Sequence, residues 1–321
     1  MKKRVALLYG GNSSEAEVSV KSGKHVAKHL DASKYDVYEI MVTGRDWSVQ
    51  NPECNGAQID KSDFSFLLPD GNKITFDIAL IMIHGTPGED GMIQGYFDMV
   101  GVHYSTCPSI VSAITFNKYA CKCFLRDSDI KLPKEVFLRK GDKFSVEDIS
   151  AQLGYPMFVK PNDGGSSFGV TKVKSADGLA LAIADAFKED DRVLIEEFIG
   201  GREMTNGAFM SNGELVVLPV TEIISENEFF DYEAKYLGAS KEICPAVISE
   251  SLRDEIMANT AKIYRHLGCR GVVRVDYIIN ESGIYFLEIN TVPGMTEMSL
   301  VPQHVRAAGL TIGEFLDKLL A

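Results

Sequence analysis

The chain has 321 residues, 45% of them hydrophobic and 24% charged, with a formal net charge of −12. That length exceeds one ordinary hydrophobic core and suits two or three domains, and the composition excludes a disordered chain. The acidic balance argues against nucleic acid or an anionic membrane as partner, although a local cluster of Lys and Arg can still hold a small anion. No apolar run is long enough to span a bilayer. Six cysteines without zinc spacing read as reduced thiols of a cytoplasmic protein.

Lys2-Lys3-Arg4 followed by Val5–Tyr9 imitates the start of a signal peptide, but the apolar stretch is short and ends in Gly10-Gly11. It reads as a parallel strand covered on both faces. After the break at Gly10–Ser14, the spacing of Val18, Ser22, Val26 and Leu30 predicts a helix from Glu15. A strand, a glycine turn and a helix start can hold an anion on backbone N–H groups. Glu15 would repel one, and suits a substrate ammonium better.

Val37–Val42 and Phe76–Ile83 predict two further strands, the second ending in His84-Gly85-Thr86-Pro87-Gly88-Glu89-Asp90-Gly91. Ligands of open α/β sheets bind beyond the carboxyl ends of strands, so both glycine-rich loops are expected at one rim. His84 there is either a loop-packing residue or a substrate contact. Residues 1–104 form a first α/β unit, and helices are expected over Ser109–Phe116 and Lys118–Asp127.

Pro156–Pro161 is an apolar strand carrying Lys160, and Asn162–Gly169 is rich in Gly and Ser before Gly169–Val173 returns. Lys precedes the glycines, so this is not a Walker A loop. It reads as a flap over phosphates, with Lys160 supplying charge. Asp177–Phe187 is helical, and Val193–Phe198 is a buried strand ending in Glu196 and Glu197, acceptors suited to an adenine amino group or ribose hydroxyls. Asn212-Gly213 is a type I′ hairpin signal. Phe229–Gly238 has an aromatic, aperiodic pattern that suggests a lid, and Ser251–Leu267 is an amphipathic helix. Leu300–Ala308 and Ile312–Leu320 close the chain as helices.

Two runs of β-branched and aromatic residues flank Glu281-Ser282-Gly283. A three-residue turn there sets Asn280 against Ile284, Ile278 against Phe286, Asp276 against Glu288 and Arg274 against Asn290. Side chains alternate faces, so Arg274, Asp276, Glu288 and Asn290 share one side. Like charges directly opposite destabilise a sheet by up to about 1 kcal/mol. A cation between Asp276 and Glu288 is expected, and two carboxylates with an amide oxygen suit Mg²⁺. A solvated sheet face is the plain alternative.

Gly10–Ser19 (GGNSSEAEVS), His84–Gly91 (HGTPGEDG), Val159–Gly169 (VKPNDGGSSFG), Asp231–Leu237 (DYEAKYL) and Arg274–Pro302 occur in this order. With them, essentially the whole chain resembles the ATP-grasp superfamily and, within it, the D-alanine–D-alanine ligases. The resemblance implies a three-domain ATP-grasp architecture of α/β and α+β units with a Rossmann-like first domain. The units are 1–104, 105–199 and 200–321, with the first D-alanine site on the first and the metal, oxyanion and second D-alanine sites on the last. It implies ATP and two Mg²⁺ (or Mn²⁺) as cofactors, D-alanine as substrate, an acyl-phosphate intermediate, D-alanyl-D-alanine as product for peptidoglycan precursor synthesis, and a homodimer.

By the same resemblance, Lys118 and Lys160 would hold the α- and β-phosphates, and the backbone at Ser166 and Ser167 would close over them. Glu196 would accept the adenine amino group, Glu197 and Ile199 would add backbone contacts, Glu203 would bind ribose, and Lys235 would reach the γ-phosphate. Asp276, Glu288 and Asn290 would carry the metal. Glu15 would take the first D-alanine's ammonium, tied to Ser166 and Tyr236. Arg274 and the Gly294 amide would form the oxyanion site, and Ser299 with Leu300 would receive the second D-alanine's carboxylate. Glu197 stands where many relatives have Lys, and Phe230 replaces a Tyr of some relatives.

A depsipeptide ligase making D-alanyl-D-lactate is the nearest alternative, against which the resemblance sets Tyr236. Another ATP-grasp carboxylate–amine ligase is a second. A non-catalytic nucleotide-binding protein would be expected to lack some of Arg274, Asp276, Glu288 and Asn290, which are all present. A dinucleotide oxidoreductase fails on the missing third glycine after Gly10-Gly11.

Overall fold

A computed structural model of the chain describes residues 2–164, 169–225 and 240–321. The first unit is built on β1 (Lys3–Gly10), α1 (Ala16–His29), β2 (Tyr35–Thr43), β3 (Asp46–Val49) and β6 (Ile78–Ile81), with a small β4–β5 hairpin (Phe66–Leu67, Lys73–Ile74) between them. Its sheet order is β3-β2-β1-β6. The β1 pairings with β2 and β6 are parallel, and β3 runs antiparallel at the edge. Val5 to Tyr9 are fully buried, as their unbroken apolar run predicted. Val18, Ser22 and Val26 face inward from α1 at helical spacing. Helices α2 (Met92–Val100), α3 (Ser109–Phe116) and α4 (Lys118–Leu125) follow.

The second sheet has the order β7-β10-β8-β9, from β7 (Glu135–Arg139), β8 (Met157–Pro161), β9 (Thr171–Val173) and β10 (Arg192–Glu197). Helices α5 (Val146–Leu153) and α6 (Ala176–Glu189) cover it, and Ile149, Leu179, Ile183 and Ala186 pack on Val159, Val193 and Ile195. The return of β9 against β8 is antiparallel, as the flap reading required.

The third sheet centres on β11 (Arg202–Ser211), β15 (Val272–Asn280) and β16 (Gly283–Asn290), with β12 (Glu214–Val217), β13 (Thr221–Ser225) and β14 (Ser240–Ile243). Asn212-Gly213 turns β11 into β12 with both residues at positive φ, which is the type I′ signature. Helix α7 (Glu250–Leu267) covers one face through Ile256, Ile263, Tyr264 and Leu267. Helices α8 (Leu300–Ala307) and α9 (Ile312–Leu320) fill the space between this sheet and the first one. Val301, Val305, Phe315 and Leu316 share a core with Val5, Leu7, Tyr9 and Leu80 as well as Phe209 and Val272.

The packing departs from the expected division at one place. Helices α3 and α4, expected with the central unit, bury Val111, Cys121 and Leu125 against Val273, Val275 and Tyr277 of the third sheet.

The turn of the last hairpin differs from expectation. Only Glu281 and Ser282 lie in the turn, so Asn280 pairs with Gly283 and Ile278 with Tyr285. The Asn280 side chain accepts the Ser282 N–H at 2.8 Å, closing the shorter turn locally. The register then shifts between Asp276 and Tyr277, where Leu287 is the extra residue of a β-bulge, and this restores Asp276 opposite Glu288 and Arg274 opposite Asn290. The functional pairing therefore holds although the turn that was to set it does not.

Candidate active site

The floor is the β15–β16 face. Asp276 is 5% exposed, and its carboxylate is held by protein donors on both oxygens. Arg274 Nε donates to Oδ1 at 2.9 Å and its terminal nitrogen to Oδ2 at 2.7 Å. Thr205, the cross-strand neighbour on β11, donates to Oδ1 at 2.5 Å, and Asn290 Nδ2 lies 3.4 Å from Oδ2. The cation expected beside the paired carboxylates is thus partly supplied from within, by Arg274. Among the described residues no three His, Cys, Asp or Glu gather as a metal cluster. The donor set is two carboxylates and one amide oxygen on adjacent strands, all oxygen, which fits a hard ion that keeps waters and phosphates as its other ligands.

The rim is formed by the two glycine-rich loops of the first unit, which meet as expected. Asn12 N–H donates to Thr86 O at 3.0 Å and Ser13 Oγ to His84 O at 2.8 Å. Glu15 is 7% exposed, at the N-terminal end of α1. A Cβ built on Gly85 would lie 3.6 Å from its Oε2. A Cβ on Gly88 would stand 1.9 Å from Ile83 O, so only glycine lets this loop fold back on its strand.

Of the two readings left open for His84, the structure shows the loop-packing one. Its ring is 4% exposed; Nδ1 donates to Val292 O at 2.8 Å and Nε2 meets Ser22 Oγ at 3.0 Å. Ser22 in turn accepts the Met295 N–H at 3.1 Å. Burial lowers the His84 pKa, so the ring is neutral and both nitrogens are spent on protein. Glu89, which the sequence reading passed over, accepts the Gly85 N–H at 2.7 Å and also the Val292 N–H. Burial, then the nearby Glu15 carboxylate, pushes Glu89 up to about 8. The HGTPGEDG motif therefore grips both backbone polar groups of Val292. That grip fixes the loop in which a Cβ on Gly294 would fall 2.9 Å from Ser299 Oγ. Ser299 Oγ accepts the Thr296 N–H at 3.0 Å, and Leu300 is 7% exposed behind it.

The opposite wall comes from the second sheet and α4. Asn117 caps α4 by accepting the Ala120 N–H, and Lys118 N–H donates to Asn162 O at 3.1 Å. Lys118 Nζ donates to Gly164 O at the base of the flap. Lys160 contacts Glu196 Oε2 and Lys122 contacts Glu196 Oε1. The carboxylate expected to meet an adenine amino group is thus 4% exposed and spends its oxygens on two lysines. Burial lowers Lys122 to about 8, and burial with the neighbouring Lys122 and Lys118 charges lowers Lys160 well below its ordinary value. Glu197 accepts the Lys134 N–H at 2.8 Å and donates its own N–H to Lys134 O at 3.0 Å. Ile199 and Glu203 are half-buried at the passage into β11. Ser166, Ser167, Lys235, Tyr236 and Phe230 lie outside the described residues.

Sequence reading missed Lys122, Glu89 and Thr205. Only Glu89 carried a signal, as the acidic member of a glycine-rich loop; the others sit within regular elements.

Residues 4–107 match the D-ala D-ala ligase N-terminus model and residues 124–321 the D-ala D-ala ligase C-terminus model. The chain belongs to the D-alanine–D-alanine ligase family. A family member named D-alanine--D-alanine ligase from Parabacteroides distasonis is 49% identical over 321 residues, covering 100% of this chain and 97% of that protein. Another of that name from Bacteroides fragilis is 46% identical, covering 100% and 99%. Among solved structures, the VanG D-Ala:D-Ser ligase of Enterococcus faecalis superposes with a TM-score of 0.89 at 33% identity, covering 100% of this chain and 99% of that one. The D-alanine--D-alanine ligase of Bacillus anthracis complexed with ATP gives 0.79 at 30% identity, covering 99% and 96%. These neighbours bear out the expected ATP-grasp architecture. Among the described residues no helix is long and apolar enough to cross a membrane.

Proposed function

We propose that the chain joins two D-alanine molecules at the expense of ATP, making D-alanyl-D-alanine for peptidoglycan. One observation carries the assignment of sites. The first unit's loop holds Val292, and the charges of Glu15 and Arg274 both act on His84 and Glu89 in that loop, which supports reading Glu15 and Arg274 as parts of one site. A carboxylate cannot expel oxide when an amine attacks it. Transfer of the γ-phosphoryl group from ATP to the first D-alanine releases ADP and leaves an acyl phosphate. The second amine then attacks the carbonyl carbon, the C–N bond forms, and phosphate departs.

Glu15 holds the first ammonium. Arg274 and the Gly294 amide stabilise the tetrahedral oxyanion, and Ser299 and Leu300 receive the second carboxylate. Lys118 and Lys160 bind phosphates, with Ser166, Ser167 and Lys235. Glu197 and Ile199 meet the base through their backbone, Glu203 the ribose, and Tyr236 belongs to the lid. Two Mg²⁺ (or Mn²⁺) held by Asp276, Glu288 and Asn290 would neutralise phosphate charge during transfer. His84 positions the Val292–Gly294 segment instead of touching substrate. A homodimer through the first unit, the units 1–104, 105–199 and 200–321 and a cytoplasmic location belong to the same reading.

Incubation with ATP, Mg²⁺ and D-alanine tests this. Phosphate release matched by dipeptide is expected, and phosphate without dependence on D-alanine would refute it. A second reading, D-serine as the second substrate, is favoured by the likeness to the D-Ala:D-Ser ligase structure. Competition between D-serine and D-alanine for the second position decides between them.

A further inference from the structure

Lys122 has no role in the site described so far, yet it is among the most buried side chains of the molecule, at 1% exposure. It lies on α4 one turn after Lys118, on the face that also buries Cys121 and Leu125. Its ammonium contacts Glu196 Oε1 and stands 3.8 Å from Glu135 Oε2. Glu135 is also paired with Arg126 at 2.7 Å. Lys160 contacts the other oxygen of Glu196. One buried carboxylate therefore carries two ammonium groups, one on each oxygen.

The two lysines differ in what else they can reach. Lys122 is enclosed, with a second carboxylate close by. Lys160 is 15% exposed, on the strand that runs directly into the flap loop. An arriving polyphosphate would draw Lys160 toward itself and away from Glu196. A carboxylate left alone at such burial is strongly disfavoured, so without another cation Glu196 would hold Lys160 back. Burial itself lowers both ammonium pKa values, and the Glu135 and Glu288 carboxylates oppose that.

We propose that Lys122 is the standing counter-ion of Glu196, a positioning residue that releases Lys160 to the phosphates of the nucleotide. The inference rests on the reading of Lys118 and Lys160 as the contacts of the nucleotide's phosphates. It assigns Glu196 to holding lysines, and it predicts an effect that depends on the phosphates of the ligand.

The test is calorimetric binding of ADP with Mg²⁺, and of adenosine by competition, to the full chain and to Lys122→Met. ADP affinity is expected to fall roughly 10- to 100-fold, the usual effect of removing a partner one shell out. Adenosine affinity should stay as in the parent, and Lys122→Arg should recover part of the loss. In a Glu196→Gln background, Lys122→Met should add no further loss, because the carboxylate that needs a counter-ion is gone. Should Lys122→Met alone fail to fold, the double variant still decides: it should bind ADP as Glu196→Gln does. A folded Lys122→Met with parental ADP affinity overturns the proposal. So does equal weakening of adenosine, or a loss that adds to that of Glu196→Gln. Failure of the parent chain to bind ADP would refute the nucleotide reading instead.

Discussion

Replacing Arg274 with Ala separates the two things its guanidinium does. It makes two hydrogen bonds to Asp276, at 2.9 and 2.7 Å, with side-chain exposures of 12% and 6% for the pair. Truncation leaves Asp276 with Thr205 and Asn290, and breaking a buried pair in this way typically costs about 3–5 kcal/mol. A divalent ion can take the place of the guanidinium, so Mg²⁺ should raise the melting temperature of Arg274→Ala more than that of the parent. In catalysis the variant loses an oxyanion donor, which is expected to lower turnover by about 10²–10³-fold. ADP binding, supported by lysines on the opposite wall, should survive. Thermal melts with and without Mg²⁺, ADP calorimetry, and paired phosphate and dipeptide assays read these out. Near-parental turnover would sink the oxyanion assignment, and an Mg²⁺ shift no larger than the parent's would refute the stand-in cation. Arg274→Lys keeps the charge without the planar fork and should restore stability more than rate.

Thr205→Val removes a fully buried donor to Asp276 at nearly constant shape. The Mg²⁺ concentration for half-maximal activity should rise roughly 10- to 100-fold, and an unchanged value would exclude Thr205 from orienting the carboxylate. Gly88→Ala places a methyl 1.9 Å from Ile83 O, so stability should drop by about 1–3 kcal/mol or more in urea unfolding. A neutral result would mean that the loop has another way to lie against its strand. His304 is fully buried, and among the described residues neither ring nitrogen finds a hydrogen-bond partner. Burial, then the nearby Arg274 charge, lowers its pKa from 6.5 to about 3. Below 6.5 the unfolded chain binds the extra proton, so this stability is present above 6.5 and is lost as pH falls toward 3, costing about 1.4 kcal/mol one unit below 6.5. Glu89, raised to about 8, runs the opposite way, losing stability as pH rises from 4.5. The measurement is therefore the stability difference between parent and His304→Phe at each pH. A difference that does not change between about pH 5.5 and 7.5 would contradict a neutral buried ring.

Much of the chain announced itself. The unbroken run Val5–Tyr9, the 3.6-residue spacing from Val18 and the Asn212-Gly213 turn each depend on neighbours close in sequence, and each element formed as read. The strands β7, β13 and β14 and helix α5 are short and weakly patterned and had no such signal. The hairpin at Glu281-Ser282 lay between the two cases. Its strands were legible, but turn length and bulge compensate each other, and composition does not fix how an extra residue is shared between them.

The candidate site divides in the same way. Asp276, Glu288, Asn290 and Arg274 could be placed on one face because strand alternation is a local geometric rule. Local patterns say nothing about partners across the chain. His84 meets Val292 across 208 residues, and that contact exists only after the first and last units pack. The same holds for Lys122, whose spacing on α4 is that of any helical lysine and whose partner Glu196 comes from another sheet. Local covalent and steric preferences specified strands, turns and shared faces. Burial and charge pairing between distant segments decided that Glu196 faces two lysines, that His84 holds a loop, and that Arg274 lies on Asp276.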